Sequence, residues 1–306
     1  MCSYRTVDLF CGCGGMSLGF QRAGFSIVAA YDNWQPALKV YQRNFSHMAH
    51  NKDLSLSVVQ DEVAQLRPRV IIGGPPCQDF STAGHKDDNL GRAQLSVAFS
   101  NIIIRAKPEY YVMENVVRAR TSKAYQTAMA QFSAAGYGMT KIVLDACYCN
   151  VPQRRKRYFV IGHLDDKDDF LKSYLLSHLS KEPMSVHDYL GDSLGTEYYF
   201  RVPTNYNRRG IYSIYEPAMT VRGIDRPIPK GYKKHPQDPV DIGPLVRALT
   251  VEERGYLQTF PKDFVFEGTK TDMNTMIGNA VPVNLAQYIA EALMYYATNR
   301  DNEGGG

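Results

Sequence analysis

The chain has 306 residues, of which 44% are hydrophobic and 22% are charged, and its formal net charge is +4. This composition supports a folded core and excludes a disordered protein outside the polar segment 299–306. The mild positive charge permits nucleic-acid binding without requiring it. No apolar run approaches about 18 residues and no secretory leader pattern is present, so we expect a cytoplasmic protein without a membrane span.

Strands that alternate with helices are predicted in the first part of the chain. The predicted strands are 6–10, 26–31, 69–72, 109–114 and 158–162, and the predicted helices are 16–23, 36–45, 96–106 and 125–135. This alternation predicts a largely parallel sheet covered on both faces. From residue 165 to about 243 the chain is rich in Tyr, Pro, Arg and Lys, which predicts a smaller, irregular, partly β domain. Helical spacing returns at 251–258 and 284–298.

The first motif is DLFCGCGGMSLGF at residues 8–20, which predicts a strand, a glycine turn and a helix start. Glycines let the backbone approach a ligand closely, and a helix N-terminus carries partial positive charge. The turn lacks the GxGxxG pattern, which argues against a nicotinamide-dependent dehydrogenase, and no Lys-Ser/Thr follows it as in a P-loop. Asp32 ends the next strand, where a carboxylate can accept hydrogen bonds from ribose hydroxyls. The pattern indicates either a nucleoside-containing cofactor or a structural turn.

The second motif, GGPPCQDFS at residues 73–81, places Cys77 just beyond a strand end. Open α/β sheets bind ligands in the crevice at that edge. A lone cysteine is more often a buried structural thiol. However, two prolines precede Cys77 and polar residues follow it, which is a poor core environment. We therefore interpret Cys77 as a functional residue on an exposed loop, not as a structural thiol.

Three shorter motifs follow: ENV, which begins with Glu114, QRRKR at 153–157, and GNAVP at 278–282. Each has a structural alternative, namely a solvated strand end, a solvated basic face and an ordinary turn into a helix. The six cysteines of the chain include no spacing typical of a zinc site, so no metal ion is expected.

Taken together and in this order, the segments DLFCGCGG, GGPPCQDFS, ENV, PQRRKRYF and GNAVPV resemble the DNA cytosine-5 methyltransferase family over nearly the whole chain. The segment RALTVEERGYLQTFP at 247–261 is also similar to that family. The resemblance implies an α/β, Rossmann-like S-adenosylmethionine-dependent methyltransferase fold with a mostly parallel sheet and a smaller irregular or β target-recognition domain. The implied division is a catalytic and cofactor-binding domain at 1–164, a target-recognition domain at 165–262, a returning segment at 263–298 and a flexible tail at 299–306.

The resemblance implies that Cys77 attacks C6 of a cytosine that has been flipped out of duplex DNA. The chemistry agrees, because a thiolate that adds to C6 makes C5 a carbon nucleophile and divides one hard step into two easier ones. Glu114 would act at N3 of the ring. Arg155 and Arg157 would favour the thiolate and hold the base or its phosphate.

The implied methyl donor is S-adenosylmethionine, which becomes S-adenosylhomocysteine, and no metal is implied. The positions that match the cofactor residues of the family are Phe10, Gly12, Cys13, Gly15, Asp32, Asn33, Asp53, Leu54, Pro76, Leu95, Asn279, Ala280 and Val281. Asn33 departs from the family pattern, since that position is usually apolar or aromatic. Trp34 would then compensate as the stacking partner of the adenine.

Residues expected to contact DNA are polar or basic and lie near the cysteine or in the small domain. They are Gln78, Ser81, Arg92, Arg208, Arg209, Arg222, Arg226 and Lys230. The stretch TVRG…RPIPKGY faintly resembles the recognition regions of enzymes that act on GGNCC-type or GGWCC-type sites.

The resemblance further implies a monomeric bacterial or phage enzyme of a restriction–modification system. A cognate restriction endonuclease would act on the same site without forming a stable complex. The main alternative is a tRNA cytosine-5 methyltransferase of the same architecture, whose characteristic Cys-Phe-Thr tripeptide this chain lacks. A binding protein that has lost catalysis is a second alternative, against which the retention of Cys77, Glu114, Arg155 and Arg157 argues.

Overall fold

The computed structural model describes residues 4–76, 89–204 and 208–303. The strands are β1 (Arg5–Leu9), β2 (Ser26–Asp32), β3 (Met48–Asn51), β4 (Val70–Gly73), β5 (Tyr110–Asn115), β6 (Tyr137–Asp145), β7 (Gln153–Arg154), β8 (Lys156–Leu164), β9 (Tyr198–Phe200), β10 (Ile211–Ser213), β11 (Ala218–Met219) and β12 (Val246–Ala248). The helices are α1 (Gly15–Arg22), α2 (Gln35–Asn44), α3 (Ser57–Gln65), α4 (Asn89–Ala106), α5 (Lys123–Ala134), α6 (Lys172–Ser177), α7 (Val186–Leu190), α8 (Val251–Leu257), α9 (Lys270–Asn279) and α10 (Val283–Glu303).

A seven-stranded sheet with the order β3-β2-β1-β4-β5-β8-β6 forms the larger part of the molecule. Neighbouring strands from β3 to β5 are parallel, whereas β8 is antiparallel to both β5 and β6. The predicted α/β fold with a mostly parallel sheet is therefore confirmed. In the parallel part, the carboxyl ends of β1, β2, β4 and β5 share one edge of the sheet.

The sequence of β4 explains its central position, because all four residues of VIIG are buried. Val70 and Ile72 join the apolar core beneath α1 and α10, and Ile71 joins the core beneath α3, α4 and α5. A continuous apolar run is typical of a parallel strand with helices on both faces.

The smaller sheet has the order β10-β9-β12, and the short strand β7 pairs with β11. The β7–β11 pair connects the end of the larger sheet to the segment that carries Arg222. Leu171 and Leu175, which follow the boundary predicted at residue 165, belong to the core of the larger sheet.

Several elements were missed or displaced in the sequence prediction. The structure adds β3, α3, β6 and α9, and α4 begins at Asn89 rather than at residue 96. The tail predicted from Asn299 is helical through Glu303, because α10 continues and Asp301 accepts hydrogen bonds from Arg69 and Tyr4. Within the described ranges, no helix has the length and apolar character needed to cross a membrane.

Candidate active site

The glycine turn after β1 is shaped by a carboxylate at the end of β2. The two oxygens of Asp32 accept hydrogen bonds from the backbone N–H groups of Gly12 at 2.8 Å and Trp34 at 2.9 Å. Gly12 has φ +53°, and a Cβ built on it would meet nothing within 4 Å, so the space over the turn is open. Burial raises the pKa of Asp32, and its backbone hydrogen bonds oppose that rise. The turn and the carboxylate thus border one open cradle.

The GNAVP segment lies directly against this turn. A Cβ on Gly15 would come within 2.3 Å of the carbonyl oxygen of Val281, a distance that real Cβ atoms do not adopt. The thiol of Cys13 donates to the carbonyl of Met276 at 3.8 Å. The structure therefore brings together the predicted cofactor residues at 12–15, 32 and 281, although they come from distant parts of the sequence.

The other predicted cofactor positions lie around the same edge or face inward. The N–H of Lys52 donates to the carbonyl of Asp32 at 2.9 Å, which brings the chain before Asp53 to the end of β2. Leu54 is buried in the core beneath the sheet, so its side chain faces inward. The remaining positions are Phe10 in the turn with φ +58°, exposed Asn33, exposed Pro76, half-buried Leu95, exposed Asn279 and half-buried Ala280.

Glu114 at the end of β5 forms an ion pair with Arg157 of β8, with 2.9 Å between Oε1 and Nε. Glu114 is only 8% exposed, and burial raises its pKa against the opposing charges of Arg157 and Arg155. Its Oε2 would lie 3.0 Å from a Cβ built on Gly74. The carboxylate is therefore packed against the start of the segment that leads to Cys77.

Asn115 holds the same segment from the next position, since its Nδ2 donates to the carbonyl of Pro75 at 2.9 Å. We assigned no role to Asn115 from the sequence, although it lies in the ENV motif that identified Glu114. Cys77 itself lies outside the described residues, as do Gln78 and Ser81. Only the backbone of Arg92 is described, in the first turn of α4.

Arg155 is buried and donates to three backbone carbonyls. Its guanidinium contacts Val221 at 2.9 Å, Gly278 at 2.8 Å and Ala280 at 2.9 Å. The structure thus gives Arg155 a positioning geometry, which joins the GNAVP turn to the start of the small-domain segment. The predicted contact of Arg155 with the base or its phosphate remains a prediction.

Two glutamines beside Arg155 were missed in the sequence analysis. Gln153 donates to the side chain of Gln258 at 2.9 Å and accepts from the N–H of Val221 at 2.8 Å. Gln258 donates to the carbonyls of Ile277 and Ala280. Both glutamines are fully buried, and a buried amide group needs hydrogen-bond partners. The contacts described above supply these partners. Their presence in QRRKR and RALTVEERGYLQTFP was the available signal.

The basic residues predicted to contact DNA differ in their surroundings. Arg208, Arg226 and Lys230 are exposed. Arg209 instead pairs with Glu216 and lies 4.3 Å above the ring centroid of Tyr212. Arg222 is half-buried and donates to the carbonyl of Val202. In the described part of the chain, no group of three or more His, Cys, Asp or Glu side chains is placed to hold a metal ion.

Comparison with known proteins gives a consistent result. The family model for C-5 cytosine-specific DNA methylase matches residues 4–295. Type II methyltransferase M.HindV of Haemophilus influenzae is 51% identical over 294 residues, which cover 95% of this chain and 97% of that protein. Type II methyltransferase M.HgiDI of Herpetosiphon aurantiacus is 51% identical over 293 residues, which cover 95% of this chain and 94% of that protein.

The fold is similar to that of a solved structure, the Dnmt2 methyltransferase of S. pombe, with a TM-score of 0.75. The similarity covers 97% of this chain and 99% of that chain at 20% sequence identity, so it concerns the fold alone.

Proposed function

Because the chain belongs to the C-5 cytosine-specific DNA methylase family, we propose that Cys77 is the nucleophile with which it methylates cytosine in duplex DNA. The activity is the transfer of a methyl group to C5 of cytosine in a specific DNA sequence, as the two Type II relatives also indicate. The roles of individual residues are the part that we propose.

One observation carries the assignment of the site. Glu114 and Asn115 of β5 contact Gly74 and Pro75, which immediately precede Pro76 and Cys77 in the sequence. The end of β5 therefore packs against the segment that leads to the cysteine, and Arg157 faces Glu114 from β8. This arrangement supplies an acid and a cation near the expected nucleophile.

The proposed chemistry uses these groups in sequence. The Cys77 thiolate forms a bond to C6, and electrons of the C5–C6 double bond move toward N3, where Glu114 donates a proton. C5 then takes the methyl group as the S–CH3 bond breaks with its electron pair left on sulfur, so that S-adenosylhomocysteine is the other product. A base removes the C5 hydrogen, the electron pair of that C–H bond restores the C5–C6 double bond, and the S–C6 bond breaks to release the Cys77 thiolate. N3 then returns its proton to Glu114. Arg157 balances the negative charge of Glu114 while that proton is on N3.

The target base must leave the duplex before this attack, because Cys77 cannot reach C6 inside the stacked helix. Unstacking and unpairing one base costs a few kcal/mol. The exposed arginines and lysine of the smaller part of the chain support contacts with phosphates and base edges that would offset this cost.

The cradle bordered by Gly12, Asp32 and Val281 fits S-adenosylmethionine, the methyl donor of this family. When bound, S-adenosylmethionine supplies an electrophilic methyl group. The Asp32 carboxylate is available to ribose hydroxyls beside an open turn, and the closely packed backbones of Gly15 and Val281 close one wall. Two further positions adjoin these residues in sequence: Asp53 follows Lys52, whose N–H donates to the carbonyl of Asp32, and Ala280 precedes Val281.

Replacing Asp32 by asparagine should weaken the binding of S-adenosylhomocysteine about tenfold or more, because hydrogen bonds to charged groups contribute about 1.5–3 kcal/mol. Isothermal titration calorimetry of the purified variant would measure this change. The matched control is Asp61→Asn, since Asp61 is 53% exposed on α3 and pairs with Arg105. Equal affinity of Asp32→Asn and the unmodified protein would remove Asp32 from the site.

The covalent step can be tested with a duplex that contains 5-fluorocytosine at the methylated position. After methyl transfer, fluorine cannot leave C5 as a proton would, so the bond to C6 should persist. We expect a denaturation-resistant protein–DNA adduct that requires the cofactor, with peptide mass spectrometry placing it on Cys77. An adduct at another residue, or none with cofactor present, would refute the covalent mechanism.

The same proposal covers the biological setting. The names of the relatives support a role in a restriction–modification system, in which methylation protects a site from a restriction endonuclease. We propose a monomer that acts in the bacterial cytoplasm and forms no stable complex with that nuclease. Bisulfite sequencing of DNA from a host that expresses the protein would identify the methylated sequence.

A further inference from the structure

A small cavity of about 30 Å³ lies in the smaller part of the molecule, and three arginines are among its lining residues. Arg201 follows β9, Arg222 lies three residues beyond β11, and Arg254 belongs to α8. The sequence predicts a DNA contact for Arg222 and assigns no role to Arg201 or Arg254. Three elements that are separate in the sequence thus direct guanidinium groups toward one space.

The charge of this cavity is unbalanced. Asp225 is its acidic lining residue, and it pairs with Arg254 at 3.0 Å. Arg201 donates to the carbonyl of Thr220 at 2.8 Å, and Arg222 donates to the carbonyl of Val202 at 2.5 Å. These backbone contacts satisfy donors without neutralising charge, so two positive charges remain in excess among the described lining residues.

The arrangement also leaves donors unused. The Nε–H groups of Arg222 and Arg254 are buried and have no acceptor among the described residues. Burial lowers the pKa of Arg222, and the neighbouring charges of Arg201 and Arg254 lower it further. Close placement of like charges destabilises the free protein, and an anion in the cavity would offset that effect.

We propose that Arg201, Arg222 and Arg254 form a binding site for one backbone phosphate of the substrate DNA. A guanidinium fork matches phosphate oxygens, and two uncompensated charges favour an anion over the neutral edge of a base, which needs only one arginine. This inference rests on the proposed function, because it specifies how the DNA substrate is held.

The position of the cavity would allow a bound phosphate to orient the DNA relative to the candidate active site. Val221, immediately before Arg222, accepts a hydrogen bond from Arg155 and donates one to Gln153. Gly223 packs so closely on Gly278 that a Cβ on Gly278 would lie 2.1 Å from its backbone nitrogen. A phosphate held by Arg222 is therefore fixed relative to the candidate active site. Contacts to phosphate set register without reading sequence.

The test is the salt dependence of DNA binding by Arg201→Gln. We expect a loss of about fivefold to tenfold in affinity at 0.1 M salt, equal for the methylated sequence and a scrambled duplex. The slope of log K against log salt should decrease in magnitude by about 0.9. Fluorescence anisotropy with labelled duplexes measures both. The control is Arg300→Gln, an exposed arginine near the end of α10, which should change neither quantity.

The variant Arg201→Lys distinguishes loss of the positive charge from structural damage caused by loss of the arginine side chain. A phosphate contact predicts that lysine preserves most of the salt slope that glutamine removes, since the point charge remains. Three results would overturn the proposal: an unchanged slope in Arg201→Gln, an equal loss of slope in both variants, or a loss confined to the methylated sequence. The control variant Arg300→Gln should form the adduct at Cys77, so failure of the proposed chemistry is distinguishable from failure of the phosphate site.

Discussion

Replacing Cys77 by alanine should lower the rate of methyl transfer to duplex DNA by about 10⁴-fold or more, which is the scale seen when a covalent nucleophile is removed. Without the sulfur, C5 of cytosine remains too electron-poor to accept the methyl group. Incorporation of label from S-adenosylmethionine measures the rate. Affinity for S-adenosylhomocysteine should stay nearly unchanged, because the predicted cradle is formed by Gly12, Asp32 and Val281.

The matched control for that variant is Cys147→Ala. Cys147 is fully buried, and burial raises the pKa of its thiol to about 11, so it is a poor nucleophile. This variant should retain methylation. Substantial turnover by Cys77→Ala would instead show that the reaction proceeds without a bond to that sulfur.

Replacing Glu114 by glutamine should slow methyl transfer by about 10²- to 10⁴-fold, the usual contribution of a positioned acid or base. Glutamine keeps the shape of the side chain but cannot donate a proton from a carboxyl group to N3. Single-turnover measurements at saturating DNA and cofactor isolate this step. An unchanged rate would remove Glu114 from the mechanism and leave its pair with Arg157 a structural one.

The dependence of the reaction on pH provides a second readout for the same variant. Burial raises the pKa of Glu114, so its carboxyl group keeps its proton to a higher pH than usual and loses it as the pH rises through that value. The fraction of Cys77 that is ionised to the thiolate also increases as the pH rises. The rate should therefore rise and then fall with pH, and Glu114→Gln should lack the falling limb.

The sequence predicted those parts of the site that depend on local pattern. The turn at 10–15, the strand that leads to Gly73 and the strand that ends in Glu114 were all recognisable, because apolar runs are followed by glycine or polar residues. The prediction that the chain is a DNA cytosine-5 methyltransferase is confirmed by the family match and by Type II relatives. These names also favour DNA over the tRNA alternative.

What the sequence could not predict depends on contacts between distant segments. The sequence predicts that Arg155 contacts the substrate base or its phosphate. In the structure its guanidinium donates hydrogen bonds to the backbone carbonyls of Val221, Gly278 and Ala280. The antiparallel direction of β8 could not be predicted either, because the pattern of apolar and polar residues within one strand does not show which strand it pairs with or in which direction. That direction brings the start of β8, with Arg157, to the edge where β5 ends with Glu114.

The close packing of α1 on α10 has a consequence for synthesis of the protein. Cβ atoms on Gly15 and Gly19 would lie 2.3 and 2.5 Å from the carbonyl oxygens of Val281 and Val283. Early segments leave the ribosome first, and closing so long a loop is slow. The glycine turn and α1 thus gain their last neighbours only after the segment from Val281 into α10 has emerged. A nascent chain that ends before residue 281 would lack the proposed wall formed by Val281, and we expect it to bind S-adenosylmethionine more weakly than the finished chain.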